Sequence, residues 1–94
     1  MITAFVMLDV DVASIPEAAE AICRLDGVSE VYSVTGVHDL IVKVRVAHNE
    51  ELVDVVTHGI GKIPGIRSSE TVIAFQTISD EVLDAGFSIG SAAD

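Results

Sequence analysis

The chain has 94 residues, of which 50% are hydrophobic and 21% are charged, and this composition is typical of one globular domain with a packed core. Its 5 basic and 15 acidic residues give a formal charge of −10, which argues against direct binding to nucleic acid or to an anionic membrane. The single cysteine, Cys23, excludes an intramolecular disulfide and a cysteine-cluster metal site. The N-terminus lacks the regions of a signal peptide and no apolar run approaches a membrane span, so we expect a cytoplasmic protein.

The first predicted elements are a strand and a helix. Over Ile2–Val10, apolar residues recur at every second position and predict a β-strand. Ser14 is predicted to cap the helix that follows, and Glu17, three residues later, to complete a capping box. Gly27 is predicted to end this helix, because glycine readily adopts the left-handed conformation that closes a helix.

Two more strands and a second helix follow. Residues 28–35 and Leu40–Val46 predict strands joined by a turn at 36–39. Asn49 is the predicted cap of the second helix. The apolar stripe expected to face the core of this helix is Leu52, Val55, Val56 and Ile60. Residues 66–78 predict a long fourth strand.

The C-terminal residues differ in composition from the rest of the chain. Residues 80–85 predict one more turn of helix, and the Gly-, Ser- and Ala-rich segment 86–94 is expected to be frayed. We therefore expect one folded domain over residues 1–79 and a tail over 80–94 that forms a short helix and is then disordered.

The predicted order β-α-β-β-α-β contains an internal echo. Residues 25–28 (Leu-Asp-Gly-Val) recur 38 positions later as residues 63–66 (Ile-Pro-Gly-Ile), and each copy ends a helix with glycine and opens a strand. Two such split β-α-β units predict an α+β ferredoxin-like sandwich, which is a four-stranded antiparallel sheet with both helices on one face.

Two helices on one face leave the other face of the sheet open, and we expect that face to be too apolar for water. An exposed apolar sheet of this kind marks an interface. We therefore expect a homodimer whose sheets pack face to face. The residues expected in that interface are Phe5, Met7, Val31, Ile41, Ile73 and Phe75.

Two short segments are candidates for ligand binding. In the turn 36–39, Gly36 lets backbone amides approach a ligand, and Asp39 is able to accept hydrogen bonds from an ammonium group. Ser69 and Thr71 alternate onto one face of the fourth strand, where their hydroxyls are suited to a carboxylate. On spacing alone, an ordinary hairpin turn and an ordinary strand edge explain both segments better.

The remaining reactive residue types do not form a chemical pattern. His38, His48 and His58 are ten residues apart and do not fall on one face of the predicted elements, so we expect no metal site. Cys23 lies on a predicted helix without a histidine partner, and we expect it to be a small buried hydrophobe. No phosphate loop and no Ser-His-Asp signature is present, so we expect neither a cofactor nor a catalytic site.

Two segments of the sequence resemble a known family. Residues 31–44 (VYSVTGVHDLIVKV) are similar to the strand-turn-strand core of the effector-binding domain of the Lrp/AsnC family, also called the RAM domain. Residues 63–73 (IPGIRSSETVI) are similar to the loop and strand that carry the family's Ser/Thr-x-Thr motif. The resemblance covers residues 2 to 78, and the two motifs occur in the family's order on the predicted frame.

The resemblance implies an assembly and a site. It implies dimers formed through the sheets, higher oligomers from tetramer to decamer, and an effector, typically an amino acid, bound in clefts between dimers. By motif match, Gly36 and Asp39 lie on the ammonium side of the ligand, and Val37 and His38 of the same turn are further ligand-binding residues. Ser69 and Thr71 of another dimer complete the site. The family usually has an aromatic residue before the aspartate, where this chain has His38.

The resemblance also implies a function. Because the chain begins at the first strand, we expect a stand-alone effector domain without the helix-turn-helix domain of full-length members. We expect a non-catalytic regulatory module that binds an amino acid or a related metabolite and modulates transcription through its own oligomerisation or by pairing with full-length Lrp/AsnC regulators. One alternative is a small dimeric enzyme of the monooxygenase or isomerase type, whose deep cavity the apolar residues of the third strand would fill. Another is an assembly module without a ligand.

Overall fold

Four strands form one antiparallel sheet in the order β2-β3-β1-β4 in the computed structural model, which describes residues 1–84. The strands are β1 (Ile2–Val10), β2 (Val28–Ser33), β3 (Leu40–Val46) and β4 (Ile66–Ile73). The helices are α1 (Ile15–Cys23) and α2 (Asn49–Val53), and both follow the order expected from the sequence. The ferredoxin-like sandwich is therefore confirmed.

Both helices are extended by turns of different pitch. A 3₁₀ turn, Val12–Ser14, precedes α1. After α2 the chain continues as a wider π-type segment, Asp54–Gly59, and then as a 3₁₀ turn, Ile60–Lys62. The single second helix predicted from the apolar stripe is thus three short segments in succession. The hydrogen bonds of the backbone therefore change their spacing along this region, from the α-helical pattern to the wider π pattern and then to the tighter 3₁₀ pattern.

Two strands end earlier than predicted. β2 stops at Ser33 instead of residue 35, and β4 stops at Ile73 instead of residue 78. The partner of β4 is β1, and in their register the first residue of β1, Ile2, lies opposite position 75, so β1 has no backbone to pair with residues 76–78. The last contact is the amide of Ala74, which donates to the carbonyl of Thr3 at 2.8 Å.

The two predicted helix caps have different outcomes: Ser14 is the residue before α1, as predicted, but makes no capping bond, and Asn49 is not the cap of α2. The Ser14 backbone is already helical (φ −99°, ψ −5°) and its side chain makes no capping bond, because the preceding 3₁₀ turn supplies the start of α1. The first residue before α2 is His48, not Asn49. The amide of His48 donates to the Glu51 carboxylate at 3.1 Å, which satisfies a donor that the helix itself leaves free.

The internal echo is a repeat in structure as well as in sequence. Gly27 and Gly65 have φ values of +93° and +92°. Each glycine carbonyl accepts an amide from a neighbouring strand end, from Arg45 at 2.8 Å and from Asp11 at 2.9 Å. A Cβ at Gly27 would lie 2.8 Å from a Val46 methyl group, so glycine is required there for space as well as for conformation.

The core lies between the sheet and the helices and is made of thirteen buried apolar side chains. They are Ala4, Val6, Leu8, Val10, Ala18, Ile22, Leu40, Val42, Val44, Val46, Leu52, Val55 and Ile60. The stripe predicted for the second helix is confirmed for three of its members, and Val56 is partly buried. Cys23 is exposed, so the prediction of a buried cysteine is wrong; it is the last residue of α1 and its Sγ lies 3.1 Å from the Glu20 carbonyl.

Register assigns each residue to a face, because residues directly opposed in an antiparallel pair point the same way. Ile41 lies opposite Met7, so both belong to the open face with Phe5, as predicted. Val31 lies opposite Val42, and Ile73 lies opposite Ala4. Val31 and Ile73 are therefore on the helix side of the sheet, and their predicted place on the open face is wrong.

Two β-bulges explain this error. In β2, the residues Val28 and Glu30 pair with successive residues of β3, so Ser29 is the extra residue. In β4, Ile66 and Ser68 pair with the successive β1 residues Val10 and Asp9, so Arg67 is the extra residue. Each bulge adds one residue, two positions after the repeated glycine, and so exchanges the faces of all residues that follow. Tyr32 and Val72 occupy the open face instead of the predicted pair.

The segment after β4 carries apolar side chains into solvent. Phe75, predicted for the open face, lies beyond the end of β4 and is fully exposed. The predicted helical turn is present over residues 80–84, where the Ser79 hydroxyl accepts the amide of Val82 at 3.1 Å. Residue 85 and the frayed end predicted for 86–94 lie outside the described residues. No helix within residues 1–84 is long and apolar enough to cross a membrane.

Candidate functional site

The turn between β2 and β3 is anchored at its base and open at its tip. At the base, the amide of Val34 donates to the carbonyl of Asp39 at 3.1 Å, and the amide of Asp39 donates to the carbonyl of Leu8 at 2.9 Å. At the tip, Gly36 has a φ of +117°, and a Cβ built there would have no neighbour within 4 Å. Val37 is 89% exposed. The turn therefore presents its backbone to solvent from a fixed position.

Asp39 has a structural task that the sequence did not reveal. The pairing of β1 with β3 ends at Leu8 and Leu40, so the amide of Val10 finds no carbonyl on β3. The Oδ2 atom of Asp39 accepts that amide at 2.9 Å and extends the ladder by one bond. The alternative of an aspartate that stabilises local structure is thus supported, although its partner is the next strand and not its own turn. Its role as an ammonium acceptor stays a prediction.

A polar cluster lies beside the turn on the open face. His38 Nδ1 is 3.1 Å from Asp9 Oδ1, and His38 Nε2 is 4.0 Å from Glu70 Oε1. The Ser68 hydroxyl donates to Asp9 Oδ2 at 2.5 Å. The hydrogen bond from Ser68, followed by that from His38, holds the pKa of Asp9 below its ordinary value.

This cluster connects β1, β4 and the turn between β2 and β3 but lacks a nucleophile–base pair. Asp9 stands between Ser68 and His38, whereas activation of a serine needs the imidazole to contact the hydroxyl directly. Its members are 29 and 59 residues apart in sequence, and the bulge after Gly65 decides that Ser68 faces Asp9. No sequence pattern indicates such a cluster.

Ser69 and Thr71 share one face of β4, as predicted, opposite Leu8 and Val6. That is the helix side of the sheet, yet both side chains are exposed, because the helices pack mainly over β2 and β3. Ser69 is two strands away from Leu40, a distance of roughly 10 Å, and the turn tip lies further off. A single chain therefore does not bring Ser69 and Thr71 together with the turn 36–39.

The other histidines have local roles. His48 precedes α2, and His58 Nδ1 lies 3.1 Å from Asp54 Oδ1 within the π-type segment. Within residues 1–84, no group of three or more His, Cys, Asp or Glu side chains is arranged to hold a metal ion.

The fold and the anchored turn define a ferredoxin-like domain with an open sheet face. The family model of the Lrp/AsnC ligand binding domain matches residues 3–83, and the chain belongs to the Lrp/AsnC family. An HTH-type transcriptional regulator of Pyrococcus furiosus is 37% identical over 83 residues, which are 85% of this chain and 55% of that protein. The chain spans about half the length of the curated relatives it matches.

Solved structures agree with this assignment. A protein of Thermus thermophilus is 46% identical, with a TM-score of 0.80, and the match covers 84% of this chain and 99% of that chain. E. coli AsnC is 28% identical, with a TM-score of 0.77, and the match covers 83% of this chain and 53% of that chain. The chain therefore carries the ligand-binding fold of a family of transcriptional regulators.

Proposed function

We propose that this chain is a cytoplasmic effector-binding module that binds an amino acid or a related small metabolite and controls transcription through its state of assembly. The observation that carries the proposal is the turn 36–39, which is fixed at its base by Asp39 and exposed at its tip. A rigid, exposed turn with an uncrowded glycine lets a ligand reach backbone amides at little cost in ordering.

The proposed site takes its two halves from different subunits. Asp39 uses one carboxylate oxygen for the Val10 amide, and a carboxylate has further lone pairs for an ammonium group. Ser69 and Thr71 offer exposed hydroxyls to a carboxylate, but they lie on the other edge of the sheet. We therefore propose that the turn with Val37 and His38 of one subunit meets the hydroxyls of a subunit in a neighbouring dimer.

The proposed assembly starts from a homodimer through the open face. The centre of that face is apolar, with Phe5, Met7 and Ile41 only partly buried and Tyr32 and Val72 exposed. A continuous apolar patch of this kind is rarely left to solvent in a monomer. Dimers then associate into an oligomer between tetramer and decamer, and full-length Lrp/AsnC regulators are proposed as further partners.

We infer no catalytic role. Leu40, Val42, Val44 and Val46 are buried at 0–4% exposure and occupy the space between sheet and helices that a small enzyme of this fold would need as a cavity. The names of the curated relatives describe them as HTH-type transcriptional regulators.

A thermal-shift screen of the twenty amino acids, combined with molar mass from light scattering, tests the proposal. A ligand that binds only the folded state raises Tm in a concentration-dependent way. We expect at least one amino acid to raise Tm and the molar mass to be a multiple of the dimer. A large oligomer that no amino acid stabilises favours the ligand-free assembly module instead.

A further inference from the structure

The open face carries its charges toward two opposite corners, one mainly basic and one acidic, with Glu30 of β2 beside the basic one. Lys43 and Arg45 lie side by side on β3, opposite Phe5 and Thr3, and we call this pair the basic corner. Asp9 and Glu70 lie at the other end of the face, on β1 and β4, and form the acidic corner. The two corners are about 20 Å apart along the strands, since Thr3 and Asp9 are six residues apart on β1.

The basic corner is free of partners within the described chain. Two of the five basic residues stand there, and neither forms an ion pair with another residue in 1–84. Glu30 lies opposite Lys43, but its carboxylate accepts the Tyr32 hydroxyl at 2.7 Å. A recess of about 320 Å³ adjoins this corner, between β1, β3 and the segment after β4. The corner thus offers two cations beside a space that is large enough for carboxylate side chains.

We propose that two copies of this chain pair through their open faces in a diagonal orientation, so that the basic corner of each copy meets the acidic corner of the other. The inference rests on the dimer of the proposed function and adds its orientation. In a twofold interface every contact occurs twice, so one chain supplies both complementary pairs. A twofold axis that lies between the sheets and runs obliquely to the strands produces this arrangement.

Charge provides the physical reason for this orientation. Each copy has a formal charge of −10, so two copies repel each other at long range. The diagonal orientation places opposite charges together at both ends of an apolar centre. An orientation that superimposes equal corners would place Lys43 and Arg45 against their own copies, and like charges in an interface are costly.

The corners also determine which chains pair. A relative with a similar apolar face but without the two opposed corners would leave a charge of this chain unpaired in the interface. Such an unpaired charge is the usual means by which an interface rejects a wrong partner. The diagonal pattern therefore favours a second copy of this chain over a chain that lacks it.

Charge reversal tests the orientation. Arg45 and Glu70 are exposed and hold no side-chain hydrogen bond within residues 1–84, and the ionisable neighbour of Glu70 is His38 at 4.0 Å. We therefore expect Arg45→Glu and Glu70→Lys to leave the fold intact. The dimer dissociation constant is measured by fluorescence-detected sedimentation at low salt. We expect each single variant to weaken the dimer about tenfold, because the change acts at two symmetric contacts, and the effect to shrink at high salt. The double variant R45E/E70K restores the opposite charges and is expected to recover most of the affinity.

Lys62→Glu is the matched control, because it changes the net charge by the same amount as Arg45→Glu but lies on the helix side of the chain. The control is expected to leave the dimer unchanged. If the single variants pair as tightly as the parent, or if the double variant is weaker than both, the corners do not meet and the diagonal orientation is wrong while the dimer stands. A parent chain that sediments as a monomer at every concentration overturns the dimer and the orientation together.

Discussion

Asp39 combines a structural role with a proposed ligand role, and one substitution separates them. Its Oδ2 atom holds the amide of Val10, and its charge is proposed to bind the ammonium group of the effector. Asp39→Ala removes both the acceptor and the charge. Asp39→Asn keeps an oxygen that is able to accept the Val10 amide and removes only the charge.

The structural role has a calculable cost. A hydrogen bond to a charged group contributes about 1.5–3 kcal/mol, and the bond to the partly buried Val10 amide is 2.9 Å long. Asp39→Ala is therefore expected to lower Tm by roughly 6–24 °C, since about 1 kcal/mol corresponds to 4–8 °C in a domain of this size. Asp39→Asn retains a neutral bond and is expected to lose much less.

The ligand role follows from the affinity of Asp39→Asn. Replacing a charge-assisted bond by a neutral one costs about 1–2 kcal/mol, which weakens binding roughly 5- to 30-fold. Isothermal titration calorimetry with the amino acid found in the screen measures this, and differential scanning calorimetry measures Tm on the same samples. An Asp39→Asn variant that binds as tightly as the parent would show that Asp39 serves the fold alone.

The open face, the positive-φ glycines and the Asp9 cluster each give a further prediction. Ile41→Asp places a charge at the centre of the open face, and light scattering is expected to show a smaller species than the parent; an unchanged mass would contradict the face-to-face dimer. Gly65→Ala is expected to lower the free energy of unfolding more than Gly36→Ala, because both positions have positive φ but only a Cβ at Gly65 overlaps a neighbouring side chain; equal losses in urea titrations would refute this. Ser68→Ala removes the main cause of the low pKa of Asp9, so that pKa is expected to rise toward its ordinary value of 3.8 in an NMR titration. A Ser68→Ala variant with an unchanged Asp9 pKa would disprove the assigned cause. Because the pKa of Asp9 is lowered in the folded state, the ionised carboxylate stabilises the fold above about pH 4, and this contribution is lost as the pH falls further.

The sequence predicted the order of elements because strand and helix periodicities are local signals. It singled out the two repeated glycines, which do have positive φ, but their predicted place as helix ends is wrong, because α1 already ends at Cys23 and the second helical region at Lys62. It misassigned Val31 and Ile73, because a bulge follows each of these glycines and reverses the faces of the residues beyond it. A bulge depends on pairing with another strand, and no local pattern reveals it.

The candidate site was only partly predictable for a similar reason. The turn 36–39 was visible as a glycine and an aspartate at turn spacing, but the bond from Asp39 to Val10 spans 29 residues. The contact of Ser68 with Asp9 spans 59 residues and depends on the register of β1 with β4. Side chains that are brought together by the register of a sheet are not separated by any characteristic number of residues, so the sequence contains no pattern that identifies them.

A subunit-mixing experiment tests the shared site most directly. Asp39→Asn and the double variant S69A/T71V are each expected to bind the effector weakly, because each damages every site in its own oligomer. If one subunit supplies Asp39 and another supplies Ser69 and Thr71, an oligomer reassembled from equal amounts of both variants regains about a quarter of its sites with parental affinity. Calorimetry of the mixed oligomer is predicted to show this fraction of tight sites. A mixed oligomer without any tight sites would contradict the shared site and place both halves within one subunit.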